Sequence, residues 1–391
     1  MKPPTRVNHP PEVRVPEDNR PLVAPIYQSV KFTMDSVAEA EKYNRGERDG
    51  FVYSRVSNPT LRQLELTLAE LQGRDACLLT ASGVAAVNLA LLSLCKQGDH
   101  VIVFAEMYQP TRYMVRRLLA RYGVQHTMLS IEETDRLEST LEQKPTRLLV
   151  FESPSNPLLK IADIQRITTA ARKCGALTVL DNTFAGFHNH GQLDIDIFVH
   201  SLTKYASGHG DVMGGAVIAS SELIAVMQRD FVIMGATLDP HAAFLIQRGM
   251  KTYFLRYQQQ ASSARTIAEW LSQQRTVARV HFPGLPSHPR HGIAAHQMQD
   301  FGSIITMDLA DNADPVRFCE ALKYFAISAS LGSTESLVQP GQLMRPADLN
   351  EEERQWASVS NRTIRLSIGV EEVNDLLGDL QQALAVAADS G

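Results

Sequence analysis

Cysteine is scarce: four in 391 residues, with no CxxC pair among them. Cys77, Cys95, Cys174 and Cys319 are widely spaced, each in an apolar or helical context. That spacing argues against a disulfide framework or a zinc site and for free thiols packed in a core. Charge of one sign is also lacking. The formal net charge is −5, with 21% charged residues, so nothing calls for a nucleic-acid or membrane surface. No apolar run nears the roughly 20 residues that span a bilayer. The N-terminal stretch MKPPTRVNHPPEVRVPEDNRP has no apolar signal core, and the expectation is a cytoplasmic protein. No GxGxxG follows the first strand-like run, and GHGDVMGG precedes no long helix. Both absences speak against a dinucleotide-binding oxidoreductase. Internal repeats and low-complexity tracts are missing too.

What is present reads as a globular chain with 44% hydrophobic residues. Residues 1–57 read as a proline-rich arm with one short helix in DSVAEAEKYNRG, too poor in apolar faces to bury itself. It is expected to lie across another subunit. TLRQLELTLAELQG places Leu61, Leu64, Leu68 and Leu71 on one helical face, and Gly73 stops it. From there to residue 250, short apolar runs alternate with helical patterns. The runs are ACLLTA, HVIVFA, VQHTMLS, TRLLVFES, LTVLDN, DIFVHS and GGAVIAS. This alternation predicts a mainly parallel sheet covered on both faces, whose ligands gather at the carboxyl ends of the strands. A long helix, LRYQQQASSARTIAEWLSQQ, and the Pro/Gly/His-rich loop HFPGLPSHPRHG open a smaller α+β domain over 251–391.

Three features fall on strand ends. In TASGVAAV, Ser82 and Gly83 start a helix, where bare N–H groups form an anion site and glycine admits close approach. A plain helix cap has the same appearance. LTVLDNTF ends a buried strand in Asp181, which needs a cationic or proton-donating partner. An Asp that caps the next turn is the alternative. HSLTKYASGHGDVMGG places Lys204 after DIFVHS, flanked by Ser201 and Thr203, whose hydroxyls suit phosphate oxygens. Gly208, Gly210, Gly214 and Gly215 read as room for backbone close to a ligand. A lysine there is an ordinary surface lysine or an amine made reactive by burial and neighbouring cations. An anion site, a partner for a pyridinium nitrogen and a Schiff-base lysine together describe pyridoxal phosphate binding. The histidines of FHNHG (His188, His190) and HPRHGIAAH (His288, His291, His296) have spacings that metal sites also use. No acidic or thiol cluster joins them, and both segments read as loops of solvated or hydrogen-bonded histidines, so no metal is expected.

The ordered blocks YSRVSNPT, ASGVAAV, YQPT, FESPSNP, DNTF, HSLTKYASGHGDVMGG, RGMKT, SLGSTESL and RLSIGVE carry a resemblance from about Pro21 to the C-terminus. The chain resembles the pyridoxal-phosphate enzymes of cysteine and methionine metabolism: cystathionine γ-synthase, γ-lyase and β-lyase, methionine γ-lyase and the homoserine-ester sulfhydrylases. The resemblance implies pyridoxal-phosphate fold type I, an α/β fold with a mainly parallel seven-stranded sheet, in a homotetramer built from two dimers with shared active sites. It implies pyridoxal 5'-phosphate as cofactor and a small amino acid as substrate. It assigns Lys204 as the covalent anchor and proton shuttle, and Asp181 as partner of the ring nitrogen. Ser82, Gly83, Val84, Ser201 and Thr203 become the phosphate site. Tyr108 becomes the ring-stacking tyrosine, with a share in acid–base steps. Tyr53 and Arg55 would reach the phosphate of a neighbouring subunit. Arg365 would clamp the substrate α-carboxylate, helped by Ser330 and Asn156. Taken alone, Asn156 before Pro157 is equally a turn residue, and Arg365 equally the partner of an acid.

The choice within the family is open. Glu335 in SLGSTESL resembles a glutamate of the cystathionine γ-enzymes that would hold a distal ammonium. Pro110 in YQPT looks more like the β-lyase pattern than the γ-enzymes' YGGT, and methionine γ-lyases usually have cysteine there. DNTFAGFHNH departs from DNTFATP near Phe187, and LMRP departs from MTH at Arg345; both changes are expected to touch the substrate pocket. The expected chemistry is elimination or γ-replacement of the cystathionine γ-lyase or γ-synthase type. A β-lyase or homoserine-ester sulfhydrylase is the nearer alternative. A transaminase-like enzyme or a non-enzymatic binding relative is the further one.

Overall fold

The computed structural model describes residues 18–388, so the first part of the predicted arm lies outside the described residues. All seven predicted apolar runs are strands of one sheet. They are β1 (Ala76–Thr80), β2 (His100–Phe104), β3 (Gln125–Leu129), β4 (Leu148–Glu152), β5 (Leu177–Asp181), β6 (Ile197–Ser201) and β7 (Gly215–Ala219). Their order is β1-β7-β6-β5-β4-β2-β3. Only β7 runs against its neighbours; the remaining pairings are parallel. Every residue of β2, β4 and β7 is buried, as expected of strands with helices on both faces. The consequence for function is geometric. The carboxyl ends of β1, β4, β5 and β6 share one edge, and there Ser82, Glu152, Asp181 and Ser201 meet.

The helix Pro59–Gln72 buries Leu61, Leu64 and Leu68, and Gly73 ends it at φ +68°; Leu71 is only partly covered. The smaller sheet has the order β10-β11-β12-β9-β8. Its strands are β8 (Val277–His281), β9 (Ile304–Leu309), β10 (Ala326–Ile327), β11 (Leu337–Pro340) and β12 (Thr363–Ser367). Of these, only β9 and β12 are anticipated by the sequence pattern, in the apolar runs GSIITMDLA and TIRLSIG. The helix Tyr253–Leu271 joins the two halves. Its Tyr253 and Tyr257 sit in the large core, while Ala264, Ile267, Ala268 and Leu271 sit in the small one.

Two expectations are corrected. Cys174 is exposed rather than packed; Cys77 and Cys319 are buried, and all four thiols are free. His291 and His296 lie on a helix, His291–Gln297, not in a loop. The FHNHG histidines take the hydrogen-bonded alternative, in a loop. His190 is fully buried with Nδ1 2.7 Å from Asn182 Oδ1, and His188 Nε2 is 2.7 Å from Asp300 Oδ2. Among the described residues no group of side chains is placed to hold a metal ion. No helix among them is long and apolar enough to cross a membrane.

Candidate active site

A cavity of about 500 Å³ opens where the large sheet's carboxyl edge faces the smaller sheet. Its wall includes Ser82, Gly83, Val84, Tyr108, Asn156, Asp181, Ser201, Thr203, Lys204, Ser330 and Arg365. The residues singled out at strand ends thus share one cavity with Val84, Tyr108, Asn156, Ser330 and Arg365, which only the resemblance implied.

One side is an anion cradle. Ser82 caps the helix Gly83–Leu94, its Oγ accepting from Ala85 N at 3.1 Å. The amides of Gly83 and Val84 have no acceptor among the described residues, and the helix dipole adds positive potential in front of them. Gly83 is required by contact: a Cβ there would lie 2.7 Å from Ser201 Cβ. Gly215 is required for the same reason, because a Cβ would collide with Ser82 O. The other glycines of that run serve elsewhere. Gly214 packs against Ile246 and Leu202, and Gly208 against the Arg256 guanidinium. Thr203 Oγ1 accepts from Gly214 N at 3.1 Å, so part of its capacity holds the loop.

At the centre, Lys204 Nζ donates to Ser330 Oγ at 2.8 Å. Burial, then the nearby Arg365 charge, lowers the lysine to about 8, while Asp181 opposes this. Asp181 Oδ1 accepts from Thr183 N at 3.1 Å. Burial raises the Asp181 carboxyl, against its hydrogen bonds to Thr183 and the Lys204 charge. Ser330 has φ +85°, a strained setting for a residue with a Cβ and one that clusters at functional sites. Its carbonyl accepts from Arg365 Nη2 at 2.8 Å.

Arg365, on β12, is buried and has no acidic partner. Nη1 donates to Asn156 Oδ1 at 2.8 Å and Nη2 to Gln339 Oε1 at 2.7 Å, while Nε has no acceptor at all. Burial lowers the guanidinium to about 10. A buried cation surrounded by neutral acceptors and one orphan N–H is a site prepared for a carboxylate.

Glu152 is a functional residue that the sequence reading missed. It ends β4 and is the register partner of Asp181 on β5. Its Oε1 accepts from Asn156 N at 2.6 Å and its Oε2 from Tyr108 N at 3.1 Å. One carboxylate therefore fixes the backbone of both the tyrosine and the arginine's helper. Burial, then repulsion from Asp181, pushes it up to about 8. With two such groups adjacent, each makes the other harder to ionise, and the Lys204 charge favours the ionised form of Asp181. The signal was in the sequence: FES ends a buried strand in an acid, as LDN does.

Some named residues are not brought to the cavity. Tyr53 is 41% exposed, and Arg55 Nη1 donates to Val232 O at 2.9 Å instead. Glu335 is exposed and outside the lining, so its expected role toward a distal ammonium has no support in this placement. Phe187 does not touch the pocket either. It is buried and stacks on His200 at 4.0 Å. Pro110 is not in the lining, whereas Arg345 is.

The donor set fits pyridoxal phosphate: free helix-terminal amides beside Ser201 for a phosphate, Asp181 for a ring nitrogen, and a partly buried amine between them. Residues 10–385 match the model of the family Cys/Met metabolism PLP-dependent enzyme. The chain belongs to this family. It is 38% identical over 372 residues to L-methionine γ-lyase of Pseudomonas putida, across 94% of this chain and 93% of that one. It is 37% identical to cystathionine β-lyase of Lactococcus lactis subsp. cremoris, across 92% and 93%. The solved structure of cystathionine γ-synthase from Xanthomonas oryzae pv. oryzae in complex with cystathionine superposes with a TM-score of 0.87. It is 36% identical and 93% of each chain is covered. These relatives differ in reaction, so this family member is a pyridoxal-phosphate-dependent lyase or transferase of sulphur amino acids.

Proposed function

We propose that the protein catalyses elimination or γ-replacement on cystathionine or an activated homoserine, with Lys204 as cofactor anchor and proton carrier. The observation that carries this reading is the placement of Lys204 Nζ between Asp181 and Arg365, on the Ser330 hydroxyl. When bound, the cofactor draws electrons from the substrate's Cα. Arg365, with Asn156 and Ser330 holding its guanidinium, orients the α-carboxylate so that the Cα–H faces Lys204. At about 8, roughly a tenth of the free amine is neutral at pH 7, enough to accept that proton. Ser330 Oγ aims the amine. Tyr108, held by Glu152, covers the opening as the stacking ring. Asp181 keeps the ring nitrogen's proton in place, and Ser82, Gly83, Val84, Ser201 and Thr203 hold the phosphate.

The seven-stranded, mainly parallel sheet supports fold type I. The arm supports assembly. Leu22 and Val30 stand exposed on it, and its helix Val37–Asn44 buries no residue. We propose that it packs on a second copy, carrying Tyr53 and Arg55 to that copy's phosphate site, in a tetramer of two dimers. A cytoplasmic location belongs to the same reading.

Product analysis with cystathionine and no amino acceptor tests the reaction. Cysteine, 2-oxobutanoate and ammonia, with one water consumed, mark γ-elimination. Homocysteine, pyruvate and ammonia mark β-elimination. Cystathionine formed from an O-acylhomoserine and cysteine marks γ-replacement. Keto acid that appears only when an amino acceptor is supplied would replace this reading with transamination.

A further inference from the structure

The cavity carries one more positive charge than these roles use. Four cationic side chains line it: Arg112, Lys204, Arg345 and Arg365. Lys204 and Arg365 have their tasks. Arg112 is neutralised, since its Nε and Nη2 donate to Asp348 at 2.9 and 2.7 Å in a buried pair. Arg345 is different. It is exposed, and it has no hydrogen-bond or ion-pair partner among the described residues.

The segment that carries Arg345 is held in place. Three residues on, Asp348 binds Arg112 and also accepts from Gln109 Nε2 at 3.2 Å, while Arg116 Nη1 donates to Asp348 O at 2.8 Å. Leu349 beyond it is buried. On the other side, Met344 N donates to Gly341 O at 3.0 Å. Two of these anchors, Gln109 and Arg112, lie one and four residues after Tyr108, so Arg345 is presented from a segment tied to the cavity wall. Its sequence neighbours Leu343, Met344 and Pro346 line the cavity as well, as does Met213. Leu343 and Met213 are 64% and 67% exposed, which places them at the rim.

We propose that Arg345 receives a second carboxylate of the substrate, and that the preferred substrates are α-amino acids whose side chain ends in a carboxylate. This rests on the reading of Arg365 as the α-carboxylate clamp. One guanidinium buried in the wall and one exposed at the rim of the same cavity match an anion at each end of the substrate. Two sources share that chemistry: a half-ester of a dicarboxylic acid on a hydroxy-amino acid, and a thioether joining two amino-acid ends.

The test uses the holoenzyme and its Arg345→Leu and Arg345→Lys variants. Calorimetry compares binding of linear dicarboxylates, glutarate to suberate, with hexanoate, none of which reacts. The best dicarboxylate is expected to bind about tenfold more tightly than hexanoate. Arg345→Leu removes that preference, and Arg345→Lys keeps part of it. In turnover, the kcat/KM of the carboxylate-bearing substrate relative to methionine falls about tenfold in Arg345→Leu. A fall for O-succinylhomoserine alone assigns the half-ester, and a fall for cystathionine alone assigns the thioether. An unchanged preference in both assays overturns the proposal. If the holoenzyme turned over no substrate, the reaction reading would fall, and the binding comparison would still decide the role of Arg345.

Discussion

Lys204 shows how much one side chain depends on its surroundings. Its amine lies between a raising charge, Asp181, and a lowering one, Arg365, and burial tips the balance downward. Lys204→Ala is expected to abolish the visible absorbance of the lysine-bound cofactor and to lower kcat by at least 10²–10⁴-fold. Absorbance spectra and steady-state rates check this, and full turnover in the variant would contradict the mechanism. The placement of Lys204 and Asp181 at the cavity is legible because a charged group at the end of a buried strand demands a partner. Glu152 met the same criterion and was passed over, because its partners are backbone amides that no sequence pattern shows. Phe187 and Glu335 failed for the opposite reason. The chain leaves the cavity wall before it reaches either of them: Thr183 and Phe184 line it while Phe187 is in the core, and Leu331 lines it while Glu335 is turned to solvent.

If the phosphate site is as proposed, the element that governs cofactor grip is the helix Gly83–Leu94. Its start touches the end of β6, where a Cβ on residue 83 meets Ser201. Gly83→Ala is therefore expected to push the amides away from the phosphate and weaken pyridoxal phosphate binding about tenfold or more. Titration of apoenzyme with cofactor reads this directly. Unchanged affinity would mean that the helix terminus does not hold the phosphate. The seven strands of the large sheet were readable as uninterrupted apolar runs. The strands β8, β10 and β11 were not. β8 is exposed or half-covered throughout, and β10 is two exposed residues. Edge pairing of this kind is decided by the partner strand, not by local pattern.

Across the whole molecule, the buried histidines link stability to pH. Burial holds His190 and His200 down to about 3, with each lowered further by a neighbouring histidine. In the unfolded chain such groups titrate near 6.5. Between about pH 6.5 and 3 the unfolded chain thus binds more protons than the fold, and stability falls as pH drops through that window. His200→Gln, a neutral replacement, is expected to recover up to about 2 kcal/mol of that loss at pH 4.5 relative to pH 7.5. Urea midpoints at the two pH values measure it, and parallel losses in variant and parent would rule out His200 as a source. At this scale the sequence said least. It showed an arm without a core of its own, but subunit geometry depends on surfaces whose fit no single chain displays.

The helix Tyr253–Leu271 has a consequence for how the enzyme comes apart and how it works. It is about 28 Å long, and it is rooted at one end in each hydrophobic core. Neither half can melt without stripping apolar side chains from a rod that the other half still needs, so the two lose structure in concert. Lys204 follows β6 of the large sheet and Arg365 lies on β12 of the small one, so the same rod sets the spacing between the proposed proton carrier and the proposed carboxylate clamp.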